Sequence, residues 1–170
     1  MGSGGYPVTV TDSKGCSATG TGSVSNAAGP LILLDTVNNI NCYGSCNGSV
    51  SVIVTDGFPP YTFTWNTTPP QTNATATGLC ALTYTVTVTD NLGCISTLSP
   101  TVTQPAQLVL AITNIVNANC YNQCDGSMTV AVSGGTLPYT YIWSSGSTVS
   151  TATGLCAGNY VVTVMDANSC

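Results

Sequence analysis

The chain alternates apolar and hydroxyl side chains over short stretches, and one such stretch occurs three times. Its copies occupy residues 6–16, 84–94 and 160–170. In the middle copy Tyr84, Val86 and Val88 fall on one side of an extended chain and threonines fall on the other, the period-two pattern of a strand with one buried face. The copies begin 78 and then 76 residues apart, which predicts a tandem repeat of about 77 residues.

This repeat divides the chain into three parts. Residues 1–30 contain the C-terminal hairpin of a truncated repeat, residues 31–105 a complete sandwich repeat, and residues 106–170 a second repeat that lacks its last strand. In the complete repeat the pattern predicts strands at about 31–37, 49–55, 61–66, 73–77, 82–89 and 95–102. Short strands separated by turns are typical of an immunoglobulin-like β-sandwich. The predicted fold class is therefore all-β, with tandem immunoglobulin-like repeats.

Aromatic side chains alternate with threonines in the third predicted strand of each repeat. Tyr61, Phe63 and Trp65 share one face, and the second repeat keeps Tyr139, Tyr141 and Trp143. We interpret this face as sandwich core, with Trp65 and Trp143 as structural residues. The alternative is an exposed aromatic platform for sugar rings, which would make the chain a carbohydrate-binding module. At the start of the penultimate strand of each repeat we expect a tyrosine corner, formed by Tyr84 in the first repeat and Tyr160 in the second.

Charged residues are too few for most chemistry. The 170 residues include six Asp, one Lys, and no Glu, Arg or His, which leaves a net charge of −5. General acid–base catalysis needs a group that titrates near neutrality, and nucleic acids or anionic membrane surfaces need basic side chains. We therefore predict no enzyme activity, no cofactor, no nucleic-acid partner and, lacking an apolar run of about 18 residues, no membrane insertion.

Asp12, Asp90 and Asp166 recur in the turn that ends the repeated strand. Calcium between domains is one explanation. Because no second carboxylate accompanies each Asp, we favour a carboxyl that binds the backbone of its own turn, and we predict no metal site.

Nine cysteines without a C-x-x-C pair or a histidine indicate a disulfide framework rather than zinc, and hence an extracellular location. The N-terminus resembles no secretory signal, so we expect this sequence to be part of a longer secreted protein. The disulfide residues are predicted to be the following: Cys42, Cys46, Cys80, Cys94, Cys120, Cys124, Cys156 and Cys170.

Two pairings remain open for the outer cysteines. An immunoglobulin-like order brings the loops of Cys46 and Cys80 to the same end of the sandwich, which favours a bond between them. By elimination Cys42 would then pair with Cys94 inside its repeat. Head-to-tail stacking of repeats offers a rival bond, from Cys42 to Cys170 across the junction. We favour the internal pair, because small secreted domains usually close their own loops.

The combined motif resembles the SprB-type repeat across nearly the whole chain. The resemblance rests on Asn119-Cys120, Gly126-Ser127, Gly135-Thr-Leu-Pro-Tyr-Thr140, Trp143, Gly154-Leu155, Ala157-Gly-Asn-Tyr160, Asp166 and Cys170, with Gln104-Pro105 closing the earlier copy. It implies the setting of very large Bacteroidetes surface adhesins, which leave the cell by type IX secretion and serve in gliding motility or attachment. It implies no catalytic residue. The additional cysteine pair of each repeat departs from the simplest form of the motif and suggests a toughened subfamily.

Together these observations predict structural stalk or filament repeats of a large secreted adhesin on the bacterial outer cell surface. The predicted partners are neighbouring repeats of the same long chain, with other filament chains and surface glycans as further candidates. One alternative is the carbohydrate-binding module. Another is a filament subunit in which residues 1–30 of one chain supply the strand that the second repeat of another chain lacks.

Overall fold

The computed structural model describes residues 4–170, and every regular element in that range is a β-strand. The thirteen strands found there are β1 (Gly4–Thr11), β2 (Ser17–Val24), β3 (Ile32–Asn38), β4 (Gly48–Val54), β5 (Thr62–Trp65), β6 (Thr75–Leu79), β7 (Val86–Thr89), β8 (Ile95–Leu98), β9 (Val109–Val116), β10 (Gly126–Ser133), β11 (Thr140–Trp143), β12 (Thr151–Leu155) and β13 (Val162–Met165). The all-β prediction is confirmed.

Strands β3 to β8 form two antiparallel sheets, ordered β3-β4-β6 and β5-β7-β8. Numbered from the first strand of the group, these are strands one, two and four in one sheet, and three, five and six in the other. This is the immunoglobulin-like order without the extra edge strand. Side chains from both sheets meet in one core, which includes Val50, Trp65, Val86 and Val88. The alternating apolar positions of the sequence are therefore the inward face of each sheet.

The second group of strands repeats this arrangement with one strand fewer. Its sheets are β9-β10-β12 and β11-β13, so β13 has one neighbouring strand within the described residues where β7 has two. The core of this group is smaller. Its buried members are Val130, Trp143, Ala152 and Leu155.

Strands β1 and β2 form an antiparallel hairpin with eight paired positions. All of its side chains are exposed, although β1 belongs to the same repeated motif as β7. Val8 is 60% exposed, whereas Val86, its equivalent in β7, is 0% exposed. The same alternating sequence therefore buries its apolar face only where a second sheet packs against it.

The repeated strand is shorter than the sequence predicts, because regular pairing begins at Val86 rather than near Leu82. The preceding segment is paired irregularly: Thr83 forms an isolated bridge with Thr101, and the Tyr84 N–H donates to the Pro100 carbonyl at 2.9 Å. β8 ends at Leu98, two residues before Pro100, whose nitrogen carries no hydrogen for a ladder.

Candidate functional site

The aromatic strand of each repeat points into the core. The Trp65 side chain is 0% exposed, and its indole N–H donates to the Asn73 carbonyl at 2.9 Å. Trp143 is 2% exposed and donates in the same way to Val149 at 2.9 Å. Buried indoles with satisfied N–H groups are structural anchors. A sugar platform on this face would need the tryptophans at the surface, and they are not there.

The two predicted tyrosine corners are present. The Tyr84 hydroxyl accepts the Cys80 N–H at 3.0 Å and donates to the Cys80 carbonyl at 3.2 Å. In the second repeat the Tyr160 hydroxyl donates to the Cys156 carbonyl at 3.2 Å. Each tyrosine therefore holds the loop that carries one cysteine of its repeat.

Those cysteines are bonded within their own repeats. Cys46 is joined to Cys80, and Cys124 is joined to Cys156, closing 34 and 32 residues respectively. In both cases the bond ties the loop before the second strand of the repeat to the loop fixed by the tyrosine. The two bonds occupy equivalent positions, as the repeat pattern requires.

The pairing favoured for the outer cysteines is wrong. Cys42 is bonded to Cys170, 128 residues away and in the other repeat, with 5.6 Å between the two Cα atoms. Of the described cysteines, Cys16, Cys94 and Cys120 carry free thiols. Cys94 and Cys120 were also predicted to form disulfides, and neither forms one in this structure.

The reason is that Cys42 and Cys94 lie at opposite ends of the first sandwich. Cys42 belongs to the loop after β3, beside Gly44, whose N–H donates to the Gln104 side chain at 2.8 Å. Cys94 follows β7 and lies against the entry to the repeat, where a Cβ atom on Gly29 would be 3.3 Å from its own Cβ. A strand directed away from a loop cannot return its end to that loop, so the bond forms with the next repeat instead.

Hydrogen bonds accompany this covalent link at the junction. The Asn168 side-chain amide donates to the Asn41 carbonyl at 3.0 Å and to the Thr136 hydroxyl at 3.1 Å. The first contact crosses from the second repeat to the first. A cavity of about 210 Å³ lies alongside, lined by Cys42, Tyr43, Pro105, Leu108, Gly135 and Cys170, among others.

The loop that carries Cys170 is organised by Asp166. Its carboxyl accepts the N–H groups of Cys170, Thr136 and Asn168 at 2.9–3.0 Å. The Cys170 N–H contributes most to holding the pKa of Asp166 below its usual range; burial opposes the shift, and the other two donors reinforce it. The Asp therefore binds its own turn, as predicted.

The Asp90 loop has the same design. Its carboxyl accepts the N–H groups of Cys94, Leu92 and Phe58 at 2.8–3.1 Å. Burial is the largest influence and acts to raise the pKa of Asp90, but the three N–H donors and the Cys94 side chain together outweigh it and lower the pKa. Asp12 likewise accepts the N–H of Cys16 at 2.9 Å. All three Asp-x-x-x-Cys loops thus present their cysteine on a turn held by a carboxylate.

Among residues 4–170, no group of three or more His, Cys, Asp or Glu side chains is placed to hold a metal ion. The same residues contain no helix long and apolar enough to cross a membrane. The site that the structure assembles joins the two sandwiches through a disulfide, a carboxylate-held turn and an amide contact. The junction hydrogen bonds were not predicted, because nothing in the alternation of apolar residues indicates which surface loops meet.

Comparison with known proteins found one family model that matches both groups of strands. The family model described as "SprB repeat" matches residues 34–69 and 112–148, one segment in each group of strands. A comparison with curated protein sequences found no match.

One similar solved structure is described as the three N-terminal domains of the bacteriophage RB49 Highly Immunogenic Outer Capsid protein (Hoc). It is 19% identical with a TM-score of 0.46, and the match covers 79% of this chain and 54% of that one. The chain thus spans about half of that structure. The family match is the informative one: two segments of this chain match the SprB repeat, a family of cell-surface, adhesin-like repeats.

Proposed function

We propose that the chain is a load-bearing section of the stalk of a large secreted adhesin, used in gliding motility or surface attachment and exported by type IX secretion. In this proposal residues 31–105 and 106–170 are its two sandwich units, and residues 1–30 close the unit before them. The partners are neighbouring repeats of the same chain. The family match, the scarcity of charged side chains and the disulfides support this function.

The observation that carries the proposal is the Cys42–Cys170 bond. Pulling forces travel along covalent bonds, so tension applied to the two ends of the chain passes from Cys170 directly to Cys42. Residues 43–169 lie inside the closed loop, and this loop contains the second repeat and most of the first. They are shielded from tension while the bond is intact. A linker with only short backbone contacts would offer no such protection.

Single-molecule pulling on the full chain, with handles at both ends, tests this load path. In the oxidised chain we expect lengthening from the residues outside the loop only, about 140 Å at roughly 3.5 Å per residue. After reduction the 128 residues of the loop become extensible, and the gain is about 450 Å. If the oxidised and reduced chains lengthen equally, the junction bond carries no load and the stalk proposal fails.

Surface exposure is tested separately on the source cells. An antibody raised against residues 31–105 is expected to label intact cells. Labelling that appears only after the cells are opened would contradict a surface stalk.

One observation favours a second candidate, a filament in which chains exchange strands. In the first repeat the Val102 side chain is 1% exposed and lies over Gly48, where any Cβ atom would approach it to 2.7 Å. The equivalent place in the second repeat is a cavity of about 220 Å³, lined by Gly126, Met128, Leu155 and Tyr160, among others. Val24, at the end of β2, occupies the position of the repeat that matches Val102, and it is 50% exposed.

Strand exchange would place Val24 of one chain in this cavity of another. Electron microscopy and mass photometry of the purified chain distinguish the two candidates. Polymers that disappear with Val24→Asp favour exchange, whereas monomers over the whole concentration range favour the stalk.

A further inference from the structure

The loop that carries Cys120 has the same geometry as the loop that carries Cys42. The two cysteines are 78 residues apart, at matching positions of the repeat. The Cys42 carbonyl accepts the Ser45 N–H at 3.1 Å, and the Cys120 carbonyl accepts the Gln123 N–H at the same distance. Cys120 is therefore presented as Cys42 is, but its sulfur is a free thiol.

The loops of Cys94 and Cys170 match each other as closely. In both, the backbone N–H of the cysteine donates to an Asp carboxyl four residues earlier, at 2.8 and 3.0 Å. The N–H of that Asp in turn donates to the cysteine carbonyl, at 3.0 and 3.2 Å. The structure thus contains one completed pair, Cys42 with Cys170. Cys120 is an unpaired copy of the first half, and Cys94 and Cys16 are unpaired copies of the second.

The surface around Cys120 is more exposed than the equivalent surface around Cys42, which packs near the second repeat. Tyr121 is 93% exposed, whereas its equivalent Tyr43, which lines the junction cavity, is 53% exposed. A cavity of about 490 Å³ opens between the Cys120 loop and Cys156. Exposed aromatic side chains beside a depression are typical of surfaces that a partner covers.

We propose that the Cys120 end is a docking and bonding site for another repeat of this kind. The partner presents an Asp-x-x-x-Cys loop, its cysteine bonds to Cys120, and its sandwich partly covers Tyr121, as residues 106–170 partly cover Tyr43. Cys94 is the complementary half of the same device, on a repeat docked to the one before it. The junction disulfide thereby becomes a periodic clasp rather than a single bond.

Bond formation proceeds by thiol–disulfide exchange with a low-molecular-weight disulfide such as oxidised glutathione. The Cys120 thiolate attacks one glutathione sulfur, forms a mixed disulfide and expels one glutathione thiolate. The thiolate of the partner loop then attacks the Cys120 sulfur and expels the second. Two cysteine thiols are oxidised, one glutathione disulfide is reduced, and the two protons pass to the departing glutathione molecules.

Successive clasps would overlap and limit stretching of the whole array. The covalent path would enter a repeat at its Cys170 position, run back to Cys156, cross to Cys124 and leave at Cys120. That path contains about 18 residues of backbone, or about 65 Å when fully extended. A repeat of about 77 residues could then lengthen by only a small fraction of its fully extended length, even if all of its strands unfolded.

The test uses the full chain extended by a second copy of residues 95–170, fused directly after Cys170. The fusion keeps the repeat in register, because Cys94 and Cys170 are equivalent. The extended chain is refolded with oxidised and reduced glutathione, and its peptides are mapped without reduction. We expect Cys120 bonded to the added copy of Cys170, with Cys94 and Cys16 still free. Cys120 found as a free thiol beside an intact Cys42–Cys170 bond would overturn the proposal.

Docking is also measured without the bond, so that a refolding failure does not decide the matter. In the extended chain carrying Cys120→Ser, docking of the added repeat should shield Tyr121. Hydroxyl-radical footprinting should then show Tyr121 labelled about half as strongly as in the unextended chain, close to the labelling of Tyr43. Cys94→Ser is the matched control and should leave Tyr121 protected. Labelling of Tyr121 equal to that of the unextended chain would show that no repeat docks there.

Discussion

The two repeats share one sequence pattern, yet one core is closed and the other is partly open. Val86 is 0% exposed in the first repeat, whereas its equivalent Val162 is only partly buried; Tyr84 and Tyr160 differ in the same way. The inward side chains themselves are alike. What differs is the segment after β7, where β8 and residues 100–103 cover the first core.

This covering segment is bound by backbone contacts rather than by a long ladder. The Val102 N–H donates to Leu82, and the Ile40 N–H donates to Thr103, both at 2.9 Å. Val102 itself fills the space above Gly48. A few residues beyond the last regular strand therefore close the sandwich, because the core is small enough for one valine to seal one end of it.

Breaking the link between the two repeats should have the largest effect. Removal of the Cys42–Cys170 bond by Cys42→Ser opens a 128-residue loop, which costs about 5 kcal/mol in the chain-entropy account of disulfides. Urea unfolding monitored by circular dichroism checks the loss. Cys120→Ser, which removes a free thiol, is the control and should leave the midpoint unchanged. Equal midpoints for both variants would mean that the junction bond does not stabilise the fold.

The tryptophans compare the two cores directly. Trp65→Ala should destabilise the first repeat by about 3–5 kcal/mol, the usual cost of removing a buried large aromatic side chain. Trp143→Ala should cost less, about 2–4 kcal/mol, because fewer side chains surround it. Hydrogen–deuterium exchange of peptides from each repeat locates the loss. A larger effect at Trp143 than at Trp65 would contradict the ranking of the two cores.

Supplying the second repeat with a covering segment should make the cores alike. Fusion of residues 95–105 after Cys170 should stabilise the second repeat by about 2–3 kcal/mol, the value of burying one valine and part of a strand. We expect backbone amides of β10 and β13 to exchange hydrogen more slowly in the fused chain than in the original chain. The same extension with its valine replaced by serine is the control, and equal protection by both extensions would show that the valine does not seal the core.

Acid should weaken both repeats by the smallest amount. The folded-state pKa values of Asp90 and Asp166 lie below the ordinary value, so ionisation favours the fold. This contribution is present above about pH 4 and is lost as the pH falls through the folded pKa. The melting temperature should fall between pH 6 and pH 2, and it should fall less in Asp90→Asn than in the unmodified chain. If the melting temperature of that variant depends on pH as strongly as that of the unmodified chain, Asp90 does not cause the acid destabilisation.

Much of the candidate site was present in the local sequence pattern. The Asp-x-x-x-Cys loops, the tyrosine corners and the buried Trp65 follow from period-two alternation and from side chains that bind nearby backbone. The bond between Cys46 and Cys80 followed from the strand order alone. These features involve residues within one repeat, so a single pattern contains the information that determines them.

By itself, then, the sequence determined an all-β tandem array, its inward-facing residues and its scarcity of charged side chains. These properties depend only on composition and on the alternation of neighbouring residues. Only the tertiary structure decided that Cys42 bonds to Cys170 rather than to Cys94, and that Val102 seals the first core above Gly48. Those outcomes depend on which end of a sandwich each loop reaches and on what packs against it. The spacing of residues along the chain does not contain that information, since both cysteine pairings satisfy the same repeat.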